Sequence, residues 1–248
     1  MEQWNPALKG KGGASLYGAT LARVRANGGA VAGILWYQGE SDCDTEALAL
    51  YPQRMTDLVQ AFRADLGQPN LPFLFVQIGG FVADPDQAMT DGWNGIREAQ
   101  RVWAKTQPSV LMVSAIDLGL DDGIHISTPD LKRLGRRLAD AAGGVLAPAL
   151  RTAALENNGL RVRVSFDHVR GGLVSSGQST GFSLRDETGR ELARIYKVTL
   201  DNDSAVLHLT ETLPRDTRLW YGWGLNPYCN ITDREDAAVP AFGPIPLS

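Results

Sequence analysis

Three short apolar runs mark the first 120 residues, and small or polar residues end each of them. The runs cover residues 31–37, 71–78 and 110–116. A continuous apolar run of this length is typical of a strand buried on both faces, as strands of parallel sheets are. The pattern therefore predicts three buried parallel strands.

Stretches with helical spacing precede, separate and follow these strands. We predict helices over residues 15–26 and 52–66, a polar loop over residues 84–92, and further helices from Trp93 and Thr128. Alternation of helices and parallel strands predicts right-handed β-α-β units, and hence a three-layer α/β/α sheet. The apolar positions that define the helices are Tyr17, Leu21 and Val24; Met55, Leu58, Val59, Phe62 and Leu66; Trp93, Ile96 and Trp103; and Leu131, Leu134 and Leu138.

The pattern changes at Pro148, after which apolar and polar residues alternate. Strict alternation over residues 160–166 is typical of a half-buried strand. We therefore predict an α/β domain over residues 1–148 and a small antiparallel β-domain over residues 149–248. Further short strands are predicted at residues 182–184, 191–195, 205–209 and 219–223.

Composition and charge exclude several classes of protein. The chain has 248 residues and a net charge of −4, with both signs interspersed, so a nucleic-acid partner is not expected. The basic residues of the last predicted helix, which include Arg133 and Arg137, are expected on a solvated face. No apolar run approaches the roughly 18 residues of a membrane span, and we expect no membrane contact. Cys43 and Cys229 are too few for a disulfide framework or a zinc site.

Polar residues follow the first predicted strand directly. Residues 38–42 read Gln-Gly-Glu-Ser-Asp, and polar groups at the carboxyl end of a parallel strand project into the usual ligand-binding crevice. Gln38, Glu40 and Ser41 are therefore candidate site residues. In the alternative interpretation, Gly39 makes a turn and either Asp42 or Asp44 caps the next helix.

A second cluster follows the third predicted strand, where Asp122 and His125 are three residues apart. A carboxylate on the far nitrogen of a histidine fixes its tautomer and stabilises the imidazolium, as general-base catalysis by a serine hydrolase requires. Alternatively, His125 only hydrogen-bonds its own loop. His168 and His208 fall in the predicted β-domain as surface or cross-strand residues, so neither a metal nor another cofactor is expected.

Several blocks of the sequence resemble the sialate O-acetylesterases. These form a carbohydrate-esterase branch of the SGNH hydrolases and are related to the acetyl xylan esterases. The resemblance extends over nearly the whole chain, including the C-terminal strands. The blocks are GILWYQGESD (33–42), FRADLG (62–67), PFLFVQIG (72–79), DLGLDDGIH (117–125), KRLGRRLA (132–139), LWYGWGLNPYCNIT (219–232) and VPAFGP (239–244).

The resemblance implies a flavodoxin-like α/β/α domain that removes acetyl groups from sugar hydroxyls through a serine acyl-enzyme. It implies His125 as the catalytic base and Asp122 as its carboxylate partner, with Glu40 as a second candidate for the acidic role. Gln38 would face the same cleft as an oxyanion or substrate donor. An acetylated carbohydrate is the expected partner, and the resemblance implies a secreted or periplasmic protein.

The nucleophile is where the chain departs from the family pattern. In the family the serine lies in a Gly-Gln-Ser-Asn block on a first strand, and the opening residues here resemble a later segment. We therefore expect the nucleophile strand and the next strand to be absent, leaving three parallel strands where the family has five. Such an N-terminally incomplete sheet would leave an unpaired apolar edge, which a second copy of the chain could cover.

Two serines in the chain stand in related contexts. Ser41 lies in a Gly-Glu-Ser triplet at a strand end, whereas Ser179 lies in a Gly-Gln-Ser-Thr string that no buried strand precedes. Ser15 and Ser127 are more naturally helix-start residues. Two hypotheses follow: a carbohydrate O-acetylesterase or a fragment of one, and a non-catalytic carbohydrate-binding protein that lacks its nucleophile.

Overall fold

The computed structural model describes residues 1–84 and 86–248, and its first half alternates helices with parallel strands. The first strand pairs with the second and the second with the third, with Ile34 opposite Phe73 and Phe73 opposite Val110. The mixed α/β class predicted from the sequence is confirmed. The elements are α1 (Leu16–Ala26), β1 (Ile34–Tyr37), α2 (Thr45–Asp65), β2 (Phe73–Gln77), α3 (Gln87–Ala104), β3 (Val110–Ser114) and α4 (Thr128–Ala142).

Helices cover both faces of the parallel sheet, because successive strand residues point to opposite sides. Phe73 and Phe75 of β2 pack in one core with residues of α1, α2 and α3. Leu74 and Val76 of the same strand pack with Leu134 of α4 in a second core. All five residues of β2 are buried, so the central strand matches the prediction from its apolar run.

Each helix begins at a side chain that accepts a backbone N–H three residues ahead, which satisfies a donor that the helix leaves unpaired. Ser15 and Ser127 cap α1 and α4, as predicted, and Asp86 caps α3. Asp44 caps α2 by accepting from the N–H of Ala47, so the alternative given for this aspartate is also confirmed.

Two predicted helix starts are wrong. The cap at Asp44 starts α2 at Thr45, and Pro52 lies inside the helix instead of at its first position. Burial of Tyr51, Met55 and Leu58 on one face of α2 outweighs the hydrogen bond that a proline cannot donate. The polar loop predicted over residues 84–92 is helical from Gln87 onwards, and residue 85 lies outside the described residues.

The prediction that the first strand is buried on both faces is also wrong. Trp36 is buried in the core with α1–α3, but the side chain of Leu35, which points the other way, is 66% exposed. The face is open because α4 packs mainly over β2 and β3. In the part of the chain that the structure describes, β1 pairs with β2 alone, so its outer edge is unpaired.

The basic face of α4 is not uniformly solvated, contrary to prediction. The guanidinium of Arg137 is buried and donates to both carboxylate oxygens of Asp117, each at 2.7 Å. Arg133 contacts Asp117, Asp130 and Asp236. The carboxylate of Asp117 is itself buried and requires such partners. The cluster therefore joins α4 to the loop after β3.

The second half of the chain is made of antiparallel strands. Their bounds are β4 (Ala149–Glu156), β5 (Arg161–Asp167), β6 (Leu173–Ser175), β7 (Phe182–Arg185), β8 (Ile195–Asp201), β9 (Ser204–Leu209), β10 (Arg218–Tyr221), β11 (Ile231–Asp233) and β12 (Phe242–Pro246). They form a four-stranded sheet (β4-β5-β9-β8), a three-stranded sheet (β12-β10-β7) and a two-stranded sheet (β11-β6) around one apolar core.

In this half, most strands predicted from alternating apolar and polar residues are present, but several other strands were missed. The strand predicted at residues 191–195 begins only at Ile195, and β4, β6, β11 and β12 were not predicted. His208 lies on β9 between Arg161 and Lys197, a cross-strand position as expected. The domain boundary after residue 148 remains a prediction. Among the described helices, none is long and apolar enough to cross a membrane.

Candidate active site

The loop after β1 is held against α2 and α3 by its backbone. The carbonyl of Gln38 accepts hydrogen bonds from the hydroxyl of Tyr51 and the amide of Gln100, both at 3.0 Å. A Cβ atom at position 39 would lie 2.9 Å from methyl groups of Ile78 and Ile96. Glycine is therefore required at position 39 because the loop packs directly on the core.

The side chains of this loop line an open cavity of about 440 Å³, which also contains Trp4 and Arg54. The amide Nε2 of Gln38 donates to Oδ2 of buried Asp42 at 2.5 Å, and the amino group of Met1 donates to the same oxygen at 2.8 Å. Ser41 is exposed at the rim. Gln38 and Ser41, which were predicted together, thus share this cavity.

Glu40 is partly buried, and its environment affects its ionisation. Burial raises the pKa of its carboxyl group, while backbone hydrogen bonds at Glu40 and Gly39 and the charge of His125 act in the opposite direction. The charge of Glu40 in turn contributes to raising the pKa of His125. The two predicted residues therefore lie within electrostatic range of each other, although they come from the ends of different strands.

A turn over residues 79–82 follows β2, and hydrogen bonds from Arg97 of α3 hold the start of this turn. Arg97 is buried, and burial lowers its pKa to about 10. Its guanidinium has no carboxylate partner among the described residues. It donates instead to five backbone carbonyls, those of Ile78, Gly79, Gly222, Gly224 and Leu225.

The loop after β3 carries Asp122 and His125 and reaches over this turn. The N–H of Val82 donates to the carbonyl of Gly123 at 2.7 Å, which fixes the loop to the end of β2. A bridge between Leu120 and Ile126 closes the loop at its base, where Ile126 is buried. β2 lies between β1 and β3 in the sheet, and neighbouring strands are about 4.8 Å apart. A loop from β3 that crosses the end of β2 therefore comes closer to the end of β1.

Asp122 and His125 form a direct pair. Nδ1 of His125 lies 2.7 Å from Oδ2 of Asp122, while Oδ1 accepts the N–H groups of Ile124 and His125 at 2.8 Å. These hydrogen bonds hold the pKa of Asp122 well below its usual range. The carboxylate of Asp122 raises the pKa of His125 above its ordinary value of 6.5.

The five predicted site residues fall into two groups at one end of the sheet. Gln38 and Ser41 line the cavity after β1, whose lining does not include Asp122 or His125. Glu40 connects the groups electrostatically. Among the described residues, Asp122 is the only side-chain hydrogen-bond partner of the His125 ring. Ser179 is hydrogen-bonded to Ser175 in the antiparallel half.

Sequence reasoning missed Arg97 and Gln100, which hold the loops after β1 and β2. Both lie on the buried face of α3, where they follow Trp93 and Ile96 at helical spacing. Long polar side chains on an otherwise apolar face have to be hydrogen-bonded internally. Their position on that face, which can be seen in the sequence, indicates that they hydrogen-bond the backbone of neighbouring loops.

Comparisons with known proteins agree on one kind of chemistry. A family model described as carbohydrate esterase, sialic acid-specific acetylesterase matches residues 1–143. A probable carbohydrate esterase of Arabidopsis thaliana is 34% identical in an alignment of 137 positions that covers 52% of this chain and 48% of that protein. The structure of a carbohydrate acetylesterase from Xanthomonas citri aligns with a TM-score of 0.71 and 26% identity, covering 86% of this chain and 50% of the other. The chain thus spans about half the length of these relatives.

Proposed function

The chain belongs to the carbohydrate esterase family of sialic acid-specific acetylesterases, and on that premise we propose that it hydrolyses acetyl esters on sugars. The observation that carries the proposal is the 2.7 Å contact between His125 and Asp122 at the carboxyl end of a parallel strand. This is the base and carboxylate arrangement that serine-type ester hydrolysis requires. The proposed substrate is an acetylated carbohydrate of the sialate or xylan type.

In the proposed mechanism His125 is the general base. Its Nε2 atom takes the proton from a serine hydroxyl as the serine oxygen attacks the acetyl carbonyl. The sugar oxygen takes that proton from His125 as its bond to the acetyl carbon breaks, which leaves an acetyl-serine. Water then attacks the acetyl carbonyl and gives a proton to His125; the serine–acetyl bond breaks, acetate leaves, and His125 returns the proton to the serine oxygen. The Asp122 carboxylate keeps the other ring nitrogen protonated and stabilises the imidazolium. The raised pKa of His125 is consistent with this role.

Glu40 and Gln38, on the loop after β1, are assigned supporting roles. We propose Glu40 as a second carboxylate that stabilises the imidazolium of His125, because the two groups already interact electrostatically. The Gln38 amide is the proposed donor to the oxyanion or to a sugar hydroxyl. Its Nε2 atom is held by Asp42, so the amide is pre-oriented before substrate binds.

The fold also supports a more specific proposal about the architecture of the enzyme. Helices on both faces of the parallel sheet suit a flavodoxin-like, three-layer SGNH hydrolase unit. We propose that residues 1–148 form that unit and that residues 149–248 form a small β-domain attached to it. Contacts such as those of Gln77 with both backbone polar groups of Ala241, each at 2.8 Å, hold the two parts together.

Hydrolysis of p-nitrophenyl acetate by the full chain tests the esterase assignment. We expect His125→Ala to lower kcat/KM by roughly 10²- to 10⁴-fold, the usual contribution of a general base. His168→Asn is the matched control, because His168 is exposed and has a φ of 62°, which asparagine tolerates. Equal activity of the His125→Ala variant and the unsubstituted protein would overturn the proposed base.

A serine-directed fluorophosphonate, followed by mass spectrometry of the labelled peptide, identifies the nucleophile. Ser41 is the candidate within the described residues, since it is exposed at the cavity that Gln38 lines. Label at Ser41 that is lost in Ser41→Ala would establish this assignment. Label at another serine would reject Ser41 and retain the esterase.

A second function, non-catalytic binding of acetylated carbohydrate, is favoured by one observation. No described side chain occupies hydrogen-bonding distance of Nε2 of His125, where a nucleophilic serine belongs. Absence of fluorophosphonate labelling and of ester hydrolysis, together with retained binding of an acetylated oligosaccharide, would support this function over the esterase.

A further inference from the structure

The segment that follows β10 is held by hydrogen bonds at both of its ends, and the first end is attached to the turn after β2 and to α3. Leu225 accepts from the N–H of Phe81 at 2.9 Å and from Arg97 at 2.9 Å. The N–H of Gly224 donates to the side chain of Asn94 at 3.0 Å. Residues 222–225 are therefore attached to the turn after β2 and to α3, although they come from the antiparallel half of the chain.

The same segment is fixed again three residues later. The hydroxyl of Thr180 donates to the carbonyl of Tyr228 at 3.1 Å, and the following residue, Cys229, is buried. Pro227 restricts the backbone between the two attachments. Asn226 and Tyr228 thus lie on a short, rigid rim, which we call the 226–228 rim.

The 226–228 rim lies beside the turn that carries the loop of Asp122 and His125. A Cβ atom at Gly80 would lie 2.4 Å from Oδ1 of Asn226, so the amide rests directly on the turn after β2. The other side of that turn is hydrogen-bonded to Gly123 through Val82. Phe81 of that turn and Ile124, the neighbour of His125, pack against the same apolar cluster to which Leu225 belongs.

Neither rim side chain is used by the core. The ring of Tyr228 is 71% exposed, and Asn226 is exposed, although the backbone around both is ordered by hydrogen bonds. An amide supplies both donors and an acceptor, and an aromatic ring supplies a rigid apolar surface at low entropic cost. A pyranose ring presents matching hydroxyl groups at its edge and C–H groups on its face.

We propose that the 226–228 rim binds the sugar that carries the ester, with Asn226 hydrogen-bonded to its hydroxyls and Tyr228 packed against its face. This inference rests on the proposed function, because it names the residues that recognise the carbohydrate of the same site. It assigns substrate recognition to the antiparallel half, while the acid-base pair comes from the α/β half.

Binding measured in the His125→Ala background, where turnover is suppressed, tests the proposal. The probes are O-acetylated xylo-oligosaccharides and 9-O-acetylated sialic acid, titrated by calorimetry. We expect Asn226→Ala and Tyr228→Ala each to raise Kd by roughly tenfold for the probe that binds. Tyr228→Phe keeps the ring that is proposed to pack against the sugar, so this variant should retain affinity.

Two matched controls separate recognition from general effects. Tyr196→Ala removes another exposed tyrosine, on β8, and Asn70→Ala removes an exposed asparagine before β2, at the opposite end of the sheet. Both should leave Kd unchanged. Equal losses in all four alanine variants, or none in Asn226→Ala and Tyr228→Ala, would overturn the proposal.

The outcomes also separate this inference from the proposed esterase. Binding that depends on the rim, without ester hydrolysis by the unsubstituted chain, would retain the rim and reject the esterase. Hydrolysis of p-nitrophenyl acetate without binding of either sugar probe would retain the esterase chemistry and reject the rim.

Discussion

Nδ1 of His125 lies 2.7 Å from Oδ2 of Asp122, although the two side chains are 79% and 57% exposed. The contact is maintained because the other oxygen of Asp122 accepts two backbone N–H groups of the same loop. The carboxylate is therefore oriented by the backbone before any substrate arrives. This pre-orientation suits the proposed role of Asp122 as the carboxylate partner of His125.

We predict that Asp122→Asn lowers kcat/KM for p-nitrophenyl acetate by roughly 10²- to 10⁴-fold and moves its pH dependence. His125 is active as a base only when neutral, and Asp122 raises its pKa, so activity should increase with pH through a midpoint above 6.5. Without the carboxylate that midpoint should shift to lower pH. A pH profile of kcat/KM measures both effects.

The control for this pH shift is Asp121→Asn, which alters the neighbouring carboxylate that accepts from the N–H of Thr128. Its midpoint should remain close to that of the unsubstituted protein. A midpoint that stays in place in Asp122→Asn would show that another group controls the acid limb.

Arg97→Met is predicted to destabilise the protein by about 2 to 4 kcal/mol, because buried carbonyls lose their donors. The guanidinium donates to five carbonyls in two separate segments, and methionine fills similar volume without any donor. Urea denaturation measures the free energy of unfolding. Arg136→Met, at an exposed position of α4, should change it by less than about 0.5 kcal/mol.

Local pattern was sufficient to predict most of the α/β half. Apolar runs identified β1, β2 and β3, and Ser15 and Ser127 mark helix starts where the structure has them. These features depend on neighbours in sequence, through strand burial and capping. The spacing of Asp122 and His125 likewise predicted a pair that one loop holds in contact.

Features that depend on distant residues could not be read in the same way. Arg137 resembles a surface residue until Asp117 and Asp236 are placed beside it. Leu35 resembles a core residue until the sheet is known to leave its face uncovered. The proposed role of residues 222–228 depends on contacts between residues more than 120 positions apart, such as that of Arg97 with Gly222.

Gly39→Ala is predicted to cost about 1 to 3 kcal/mol of stability through overpacking, and to displace the loop that carries Glu40. The new methyl group would lie 2.9 Å from core methyl groups of Ile78 and Ile96. Gly135→Ala is the matched control, since nothing lies within 4 Å of its Cβ position on α4. That variant should gain about 0.5 to 1 kcal/mol by thermal or urea denaturation. A neutral Gly39→Ala would contradict the close packing of this loop.

Glu40→Gln is predicted to stabilise the protein at neutral pH while lowering activity. Burial raises the pKa of Glu40 above 4.5, so this carboxyl contributes stability at low pH that is lost as pH rises through its folded-state pKa. Glutamine removes the charge, and its advantage in Tm should be present near pH 7 and disappear near pH 4. Glu46→Gln, at an exposed position of α2, should show no such dependence. An advantage that persists unchanged at pH 4 would contradict the burial of a charged Glu40.

Leu35→Lys is predicted to reduce self-association of the chain. Leu35 is 66% exposed on β1, whose outer edge has no partner among the described residues, and such an apolar edge strand is a surface on which a second copy can pair. A lysine there places a charge that opposes the approach of another strand. Sedimentation velocity over a range of protein concentrations measures the change. Leu131→Lys is the control, because Leu131 is a similarly exposed leucine on α4, away from any strand edge. Equal self-association of both variants and the unsubstituted chain would show that the edge of β1 is not the surface through which copies meet.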